Sequence, residues 1–412
     1  MGDTIVIVGA GIVGIASAAL LAEAGHDVTV IDRTGICEET SSGNAAALAF
    51  TEVLPLAQKG VWKKMPAWLV DPLGPLSIPP SYLPRLLPWL MRFALAGNPR
   101  RHDAAVAAQV ALMRLAESEW MALIGRAGLN GMLIENGCLE LYDTAASFRA
   151  ARSGYDMRER HGIAFRHLSR DAIADYQPGL SPHFAAGTFV PGWKNVSDPK
   201  DFGQAVWAHA VARGARFVKG TVATLGLSDG TPQVVLADGQ VRRADHLVLA
   251  AGAWSHRLAA PMGDQFPLET ERGYNTTLPS DAFDVRLQLV FADHGFVVTP
   301  LSTGLRIGGA VELGGVDAPP NYARSRAMLE KTRRFLLGLK SAGGREWMGY
   351  RPSLPDSLPV IGRSKASPRL LYAFGHGHLG LTQAAATGRL IRELISGEAP
   401  AIDLAPFSPY RF

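Results

Sequence analysis

The sequence predicts an α/β protein in which a discontinuous, Rossmann-like domain is joined to a second, α+β domain built on an antiparallel sheet. Three observations predict it. The first thirty-two residues run strand, GxGxxG, helix, strand, acid. Two later apolar strands run into small-residue turns near residues 250 and 375. Between those turns, residues 266–313 carry short β-rich runs with an antiparallel pattern.

The opening stretch is the most specific. Thr4-Ile5-Val6-Ile7-Val8 is a β-branched run that reads as a buried strand. Gly9, Ala10, Gly11, Ile12, Val13 and Gly14 follow at once. Gly9 allows the tight turn, Gly11 lets a pyrophosphate approach the backbone, and Gly14 lets the helix pack against the strand. Ile15 to Gly25 reads as that helix, whose N-terminus offers N–H groups and a positive dipole end to phosphates. A second strand, Asp27 to Ile31, ends at Asp32, which is positioned to accept from the hydroxyls of an adenosine ribose. A lone GxGxxG is weak evidence. With the strand, helix and acid all present it predicts dinucleotide binding.

Composition bounds the rest. The 412 residues suffice for two lobes, and 47% hydrophobic with 19% charged residues reads as soluble and globular. No run approaches the roughly 20 apolar residues of a membrane span. The chain enters its first strand at once, leaving no room for a signal peptide, and its two cysteines, Cys37 and Cys138, make neither a disulfide framework nor a metal cluster. The reading is of a cytosolic, reduced protein. The net charge of +4 is concentrated: Lys59, Lys63, Lys64, Arg85, Arg92, Arg100 and Arg101 face only Glu52 and Asp71 between residues 51 and 101. No nucleic-acid motif accompanies them.

After Asp32 and Arg33 comes a polar loop. Thr40-Ser41-Ser42-Gly43-Asn44-Ala45-Ala46 then reads as a small, hydroxyl-rich run opening a helix, either holding a phosphate or a flat ring or serving as a plain Ser/Asn helix cap. Residues 53–100 are rich in proline and contain Trp62, Trp68 and Trp89; Leu83 to Leu95 reads as a lid over a pocket or an interfacial element at a membrane. Helices are expected over 103–128, 145–162, 169–176, Pro199 to Arg213 and Ala323 to Leu339. Strands are expected at 137–142, 187–190, 215–218, 222–227 and 233–236. His246 to Ala251 repeats the opening theme, and Leu370 to Phe374 runs into Gly375-His376-Gly377-His378-Leu379-Gly380-Leu381-Thr382 before a last helix to about Ser396. Three nucleotide-type turns spread over the whole chain favour a bound FAD over a diffusible NAD, because an NAD domain is usually one contiguous block.

The sequence resembles the FAD-dependent D-amino-acid oxidase superfamily, and within it the bacterial D-amino-acid dehydrogenases. The matching residues are Gly9 to Asp32, Glu39 to Ala45, Asp198-Pro199, Ala250-Ala251-Gly252-Ala253-Trp254-Ser255, Arg351 to Gly362 and Gly375 to Gly380. They are specific to the superfamily and much less so to the substrate. The resemblance implies a non-covalent FAD held by Gly9, Gly11, Ile12, Val13, Gly14, Asp32 and Arg33. It adds Thr40, Ser41, Ser42, Asn44, Ala45 and Ala46 near the phosphates or flavin, and Val222, Ala251, Gly252 and Trp254 further along. Gly377, His378, Leu379, Gly380, Leu381 and Thr382 would sit at the pyrimidine edge of the flavin.

It also implies a substrate carboxylate paired with Arg351, a role that suits a planar guanidinium fork. Tyr274 and His378 are further substrate candidates; His376, His294 and Trp193 read as structural. No side chain is assigned as a catalytic acid or base. The implied activity is oxidative deamination of D-amino acids, with cyclic ones such as D-proline or hydroxy-D-proline among them, by hydride transfer from Cα to flavin N5. Two alternatives stand beside it. One is a glycine-, sarcosine- or N-substituted amino-acid oxidase using oxygen. The other is a non-catalytic or partner-dependent flavoprotein subunit. The electron acceptor is open, a quinone being one choice, with peripheral contact at the inner membrane face through 53–100. The expected division assigns 1–52, 195–260 and 345–412 to the FAD domain, and 53–194 and 261–344 to the substrate domain.

Overall fold

Two sheets organise the chain, which a computed structural model describes over residues 2–57, 74 and 76–412. Lys59, Trp62, Lys63, Lys64 and Trp68, part of the basic and tryptophan-rich segment, lie outside the described residues. The first sheet has six strands in the order Arg216–Lys219, Asp27–Asp32, Thr4–Val8, His246–Leu249, Leu370–Phe374, Val360–Arg363. All neighbours are parallel except the last pair. The opening strand thus lies between the strand that follows it and one that arrives more than two hundred residues later.

Period-two alternation explains why that strand is apolar throughout. Ile5 and Ile7 point into a core with the helices Ile12–Glu23, Pro199–Val211 and Gly380–Ser396, while Val6 and Val8 point into a second core with the meander Val222–Arg243. Both faces are covered, so no polar position is tolerated between Ile5 and Val8.

The second sheet is larger and mostly antiparallel. Its order is Arg345–Ser353, Glu269–Leu278, Gly304–Leu313, Phe296–Leu301, Gln288–Phe291, Cys138–Tyr142, Ala186–Val190, Arg166–Ser169, with the short strand Leu76–Ser77 paired to Gly304–Leu313. The α/β class and the antiparallel second sheet are as the sequence predicts.

The boundaries differ from the expected ones in two places. Helix Pro99–Ala127, expected with the substrate part, buries Leu112, Ala116, Trp120, Leu123 and Ile124 in the core of the first sheet's helices. Its Trp120 Nε1 donates to Leu381 O at 2.9 Å, and Glu119 pairs with Arg389 at 2.7 Å. Strand Arg345–Ser353, expected with the FAD part, is the edge of the second sheet. In both cases a long-range partner decides the assignment, and no local composition signals it.

Other elements form close to where the pattern puts them, with visible caps. Asn98 Oδ1 accepts from Arg100 N, Thr144 Oγ1 from Ser147 N, and Asp198 Oδ1 from Lys200 N and Asp201 N, each opening a helix with an otherwise orphaned donor satisfied. The helix expected to reach Leu339 ends at Phe335.

Candidate functional site

A single continuous cavity of about 710 Å³ runs between the two sheets. From the first sheet it is lined by Val8 to Val13, Ile31 to Gly35, Gly220 to Ala223, Ala250 to Gly252 with Trp254, and His376 to Thr382. From the second it is lined by Glu271, Gly273 to Asn275, Gln288, Val290, Trp347 and Gly349 to Pro352, among others.

The glycine turn is built as its spacing requires. Gly9 has φ +110°, a conformation that favours glycine, and a Cβ there would lie 2.4 Å from Ala250 O. A Cβ at Gly14 would lie 2.0 Å from Gly9 O. Gly11 is different: its nearest neighbour would be Ser41 Oγ at 3.3 Å, and it faces the cavity. Ile12 N, at the start of the helix, donates to Ser41 Oγ at 3.0 Å. Asp32 lines the cavity and accepts from Ala10 N at 2.9 Å and Thr34 N at 2.8 Å, which ties the acid to the glycine turn. Arg33 is held by Glu39 through two 2.8 Å hydrogen bonds and lies 4.0 Å over the Trp254 ring.

The hydroxyl-rich run does not open a helix. It is a chain of turns leading to the two-residue strand Ala47–Leu48. Its partners come from the second sheet. Thr40 Oγ1 exchanges hydrogen bonds with Tyr350 N and O, and Arg306 donates to Ser42 O at 3.0 Å and Asn44 O at 2.5 Å. Thr40, Ser41, Asn44 and Ala45 line the cavity. Ser42 does not, because its hydroxyl turns back onto Glu38 O and Glu39 O; Ala46 is buried behind the wall; and Gly14 serves packing alone. The Asn44 Oδ1 atom is buried and has no hydrogen-bond partner among the described residues.

Arg351 lines the cavity from the edge strand, opposite Glu271 in register. No hydrogen bond or ion pair engages its guanidinium among the described residues. Burial pushes its pKa down, and the Glu271 charge opposes that. It stays protonated at neutral pH as an under-compensated cation. Glu271 is itself committed to Ser353 Oγ at 2.6 Å. Gly273 makes the arrangement possible, since a Cβ there would sit 2.7 Å from Arg351 Cζ.

His378 lines the cavity as an exposed residue of its wall, set within dense surrounding protein. Burial and then the Arg351 charge push its pKa down to about 4, so it is neutral at pH 7. His376 is buried, hydrogen-bonded to Thr387 Oγ1 at 2.9 Å, and its pKa is pushed down to about 3 by burial.

Tyr274 lines the cavity, but its hydroxyl donates to Glu312 at 2.6 Å and accepts from Asn321 N at 3.1 Å. The hydrogen-bonding capacity of that hydroxyl is spent within the sheet, so any contribution of Tyr274 to the cavity is through its ring. Trp193 also lines the cavity, with Nε1 on Gln288 at 3.1 Å, and His294 does not. Both cysteines are buried outside the lining, and burial pushes the Cys37 thiol up to about 12.

Sequence reading missed Gly273, Glu271, Gln288, Trp347 and Arg306. Each becomes part of the wall through strand register, which has no signature in a local window.

A family model described as FAD-dependent oxidoreductase matches residues 4–394. The chain is 38% identical to a D-amino-acid oxidase of Bradyrhizobium diazoefficiens, with 100% of this chain and 99% of that protein covered. It is 30% identical to a D-amino acid dehydrogenase of Rhizobium johnstonii, with 99% of each covered. Among solved structures, glycine oxidase from Geobacillus kaustophilus has a TM-score of 0.76 at 22% identity, covering 100% of this chain and 99% of that one. L-Proline dehydrogenase from P. horikoshii has a TM-score of 0.75 at 20% identity, covering 100% and 98%. These two likenesses bear on the fold alone.

Proposed function

The chain belongs to the family of FAD-dependent oxidoreductases, and from that premise we propose that it oxidises D-amino acids to imino acids. The residues present fit the cofactor. Gly9 and Gly11 form a cradle that a Cβ would fill, and the buried Asn44 Oδ1 is an acceptor with no partner from the described residues. Ile12, Val13, Asp32, Arg33, Thr40, Ser41, Val222, Ala251, Gly252, Trp254 and the Gly377–Thr382 turn would hold FAD along the cavity. When bound, FAD supplies the two-electron acceptor.

The observation that carries the reading is the unpaired guanidinium of Arg351 inside that cavity. It binds the substrate carboxylate through a planar fork and so fixes Cα. Gly273 leaves the space in which the fork lies. Neutral His378 adds no second positive charge beside Arg351 and offers a ring nitrogen to the bound amino acid. Glu271 and Glu52, two carboxylates of the wall, are engaged by Ser353 and Arg158 respectively, at 2.6 and 3.0 Å. The chain's contribution is therefore to bind and orient. The released imine hydrolyses in water, or persists if cyclic.

The test is anaerobic bleaching of the flavin's visible absorbance by D- and L-alanine, D- and L-proline, cis-4-hydroxy-D-proline, glycine and sarcosine. Bleaching confined to the D-compounds is expected. Bleaching by glycine or sarcosine, or by L-amino acids at equal rates, would overturn the assignment. Oxygen uptake compared with dye reduction then separates oxidase from dehydrogenase.

On the acceptor side we propose that helix Leu83–Ala96 meets an anionic membrane surface. No helix among the described residues is long and apolar enough to cross a membrane. This one buries Leu86, Trp89 and Leu90 and leaves Leu87, Met91 and Leu95 at 50, 56 and 60% exposure along one stripe. The exposed Arg85, Arg92, Arg100 and Arg101 lie on or just beyond it. Co-sedimentation with phosphatidylglycerol vesicles is expected, and replacing all three stripe residues by serine should weaken it at least about tenfold without changing dye-linked turnover. Equal sedimentation of variant and wild type would exclude this face.

A further inference from the structure

Three residues outside the cavity meet at one end of the second sheet. Asp143 follows strand Cys138–Tyr142, His183 precedes strand Ala186–Val190, and His294 lies in the turn between Gln288–Phe291 and Phe296–Leu301. The register explains the meeting, because Leu141 pairs with Phe291 and Tyr142 with Ala186.

We infer that Asp143, His183 and His294 bind a divalent transition-metal ion of the zinc class, which cross-ties these three segments. Asp143 Oδ2 lies 3.1 Å from His183 Nε2 and 2.8 Å from His294 Nε2, and all three donor atoms lie within 4.8 Å of one another. With metal–ligand distances near 2.0–2.2 Å, a tetrahedral site spaces its donors about 3.3–3.5 Å apart, so the two Asp143–His edges open by a few tenths of an ångström and the His183–His294 edge, within 4.8 Å, adjusts to match.

A second observation points the same way. Both rings converge on one oxygen, while the other, Asp143 Oδ1, is buried without a hydrogen-bond partner among the described residues. A carboxylate that served only to accept from two imidazoles would be better satisfied with one ring on each oxygen. Two imidazole nitrogens gathered beside one carboxylate oxygen are a donor set that a cation seated among them can share.

The surroundings hold the ligands in position. Asp293 Oδ2 accepts from Asp143 N and Ser147 Oγ, both at 2.8 Å, which fixes the Asp143 loop against the residue before His294. Phe335 stacks on the His183 ring at 5.5 Å and meets the His294 ring at 4.8 Å. The rings are thus oriented by packing before any ion arrives. His183 is half-exposed at 47%, which leaves an entry path and room for a water as fourth ligand. Two imidazoles and one carboxylate select a zinc-class ion over calcium or magnesium, which prefer all-oxygen sites. None of the three residues lines the cavity, so the ion is a structural tie, independent of the oxidation chemistry.

The experiment is calorimetric titration of the FAD-loaded, chelator-treated full chain with zinc chloride, with magnesium chloride as the comparison. One zinc per chain is expected, with micromolar or tighter affinity, a Tm raised by a few degrees, and no response to magnesium. His183→Ala and His294→Gln should each weaken zinc binding at least about tenfold and abolish the rise in Tm. Absence of saturable binding at about 100 μM zinc would overturn the site. Zinc binding equally tight in both variants would also overturn it.

Discussion

Replacing Arg351 with alanine is expected to lower kcat/KM for a D-amino acid by about a thousandfold, equivalent to about 4 kcal/mol of lost transition-state binding. The size follows from where the charge lies. It is surrounded by protein, burial already weighs against it, and the described residues supply no hydrogen-bonding partner. A substrate carboxylate is then its main compensation, and truncation leaves that carboxylate desolvated without a cation. Arg351→Lys keeps the charge and loses the fork, so its loss should be intermediate, about ten- to hundredfold. Gly273→Ala should resemble the alanine variant, because its Cβ would fall 2.7 Å from Arg351 Cζ and displace the guanidinium. All three should retain bound flavin, since the glycine turn belongs to the other sheet. Steady-state kinetics with anaerobic flavin reduction measures this. An Arg351→Ala enzyme within about threefold of wild type would mean that another group anchors the carboxylate.

What the sequence made legible and what it did not divide along one line. The nucleotide half is written locally. Strand, glycine turn, helix and acid follow within thirty-two residues, and the constraints on Gly9 and Gly14 come from atoms of that unit or of the turn after the strand beside it, whereas Gly11 meets Ser41 of the following segment. The alternation of Ile5 and Ile7 with Val6 and Val8 shows why the strand had to be apolar on both faces. The run Thr40 to Ala46 was legible as a ligand-facing segment but not as a set of turns. Its conformation is imposed by Tyr350, Arg306 and Trp347 from the second sheet: a Cβ on Gly43 would lie 2.3 Å from the Trp347 ring. Arg351 was legible through its motif, whereas Glu271 and Gly273 beside it were not. They become its neighbours only through the pairing of Glu269–Leu278 with Arg345–Ser353. The partner of the Tyr274 hydroxyl was illegible for the same reason. Nothing near it in sequence announces Glu312, the acceptor that occupies its hydroxyl.

The second and third glycines of the turn should separate cofactor binding from folding. Gly14→Ala introduces a Cβ 2.0 Å from Gly9 O, and that carbonyl has nowhere to go. Gly9 N is bonded to Ile31 O at 2.8 Å, and the other side of Gly9 is closed by Ala250 O. Relief requires helix Ile12–Glu23 to move off the sheet, opening a core in which Ile15, Ala18, Ala19 and Leu21 are fully buried. The expected cost is about 3 kcal/mol or more, seen as a lower Tm of the flavin-free chain. Gly11→Ala meets only Ser41 Oγ at 3.3 Å, and Gly11 has φ −68° and ψ 171°, which any residue adopts. Its flavin-free Tm should therefore stay near wild type. The new methyl group occupies the space a pyrophosphate needs, so FAD affinity should fall by about ten- to hundredfold. Melting of the flavin-free variants and FAD titration by fluorescence quenching measure both effects. A Gly11→Ala chain that binds FAD like wild type would remove the pyrophosphate from that turn. An unchanged Tm in Gly14→Ala would show that the helix yields to the added methyl group at little cost.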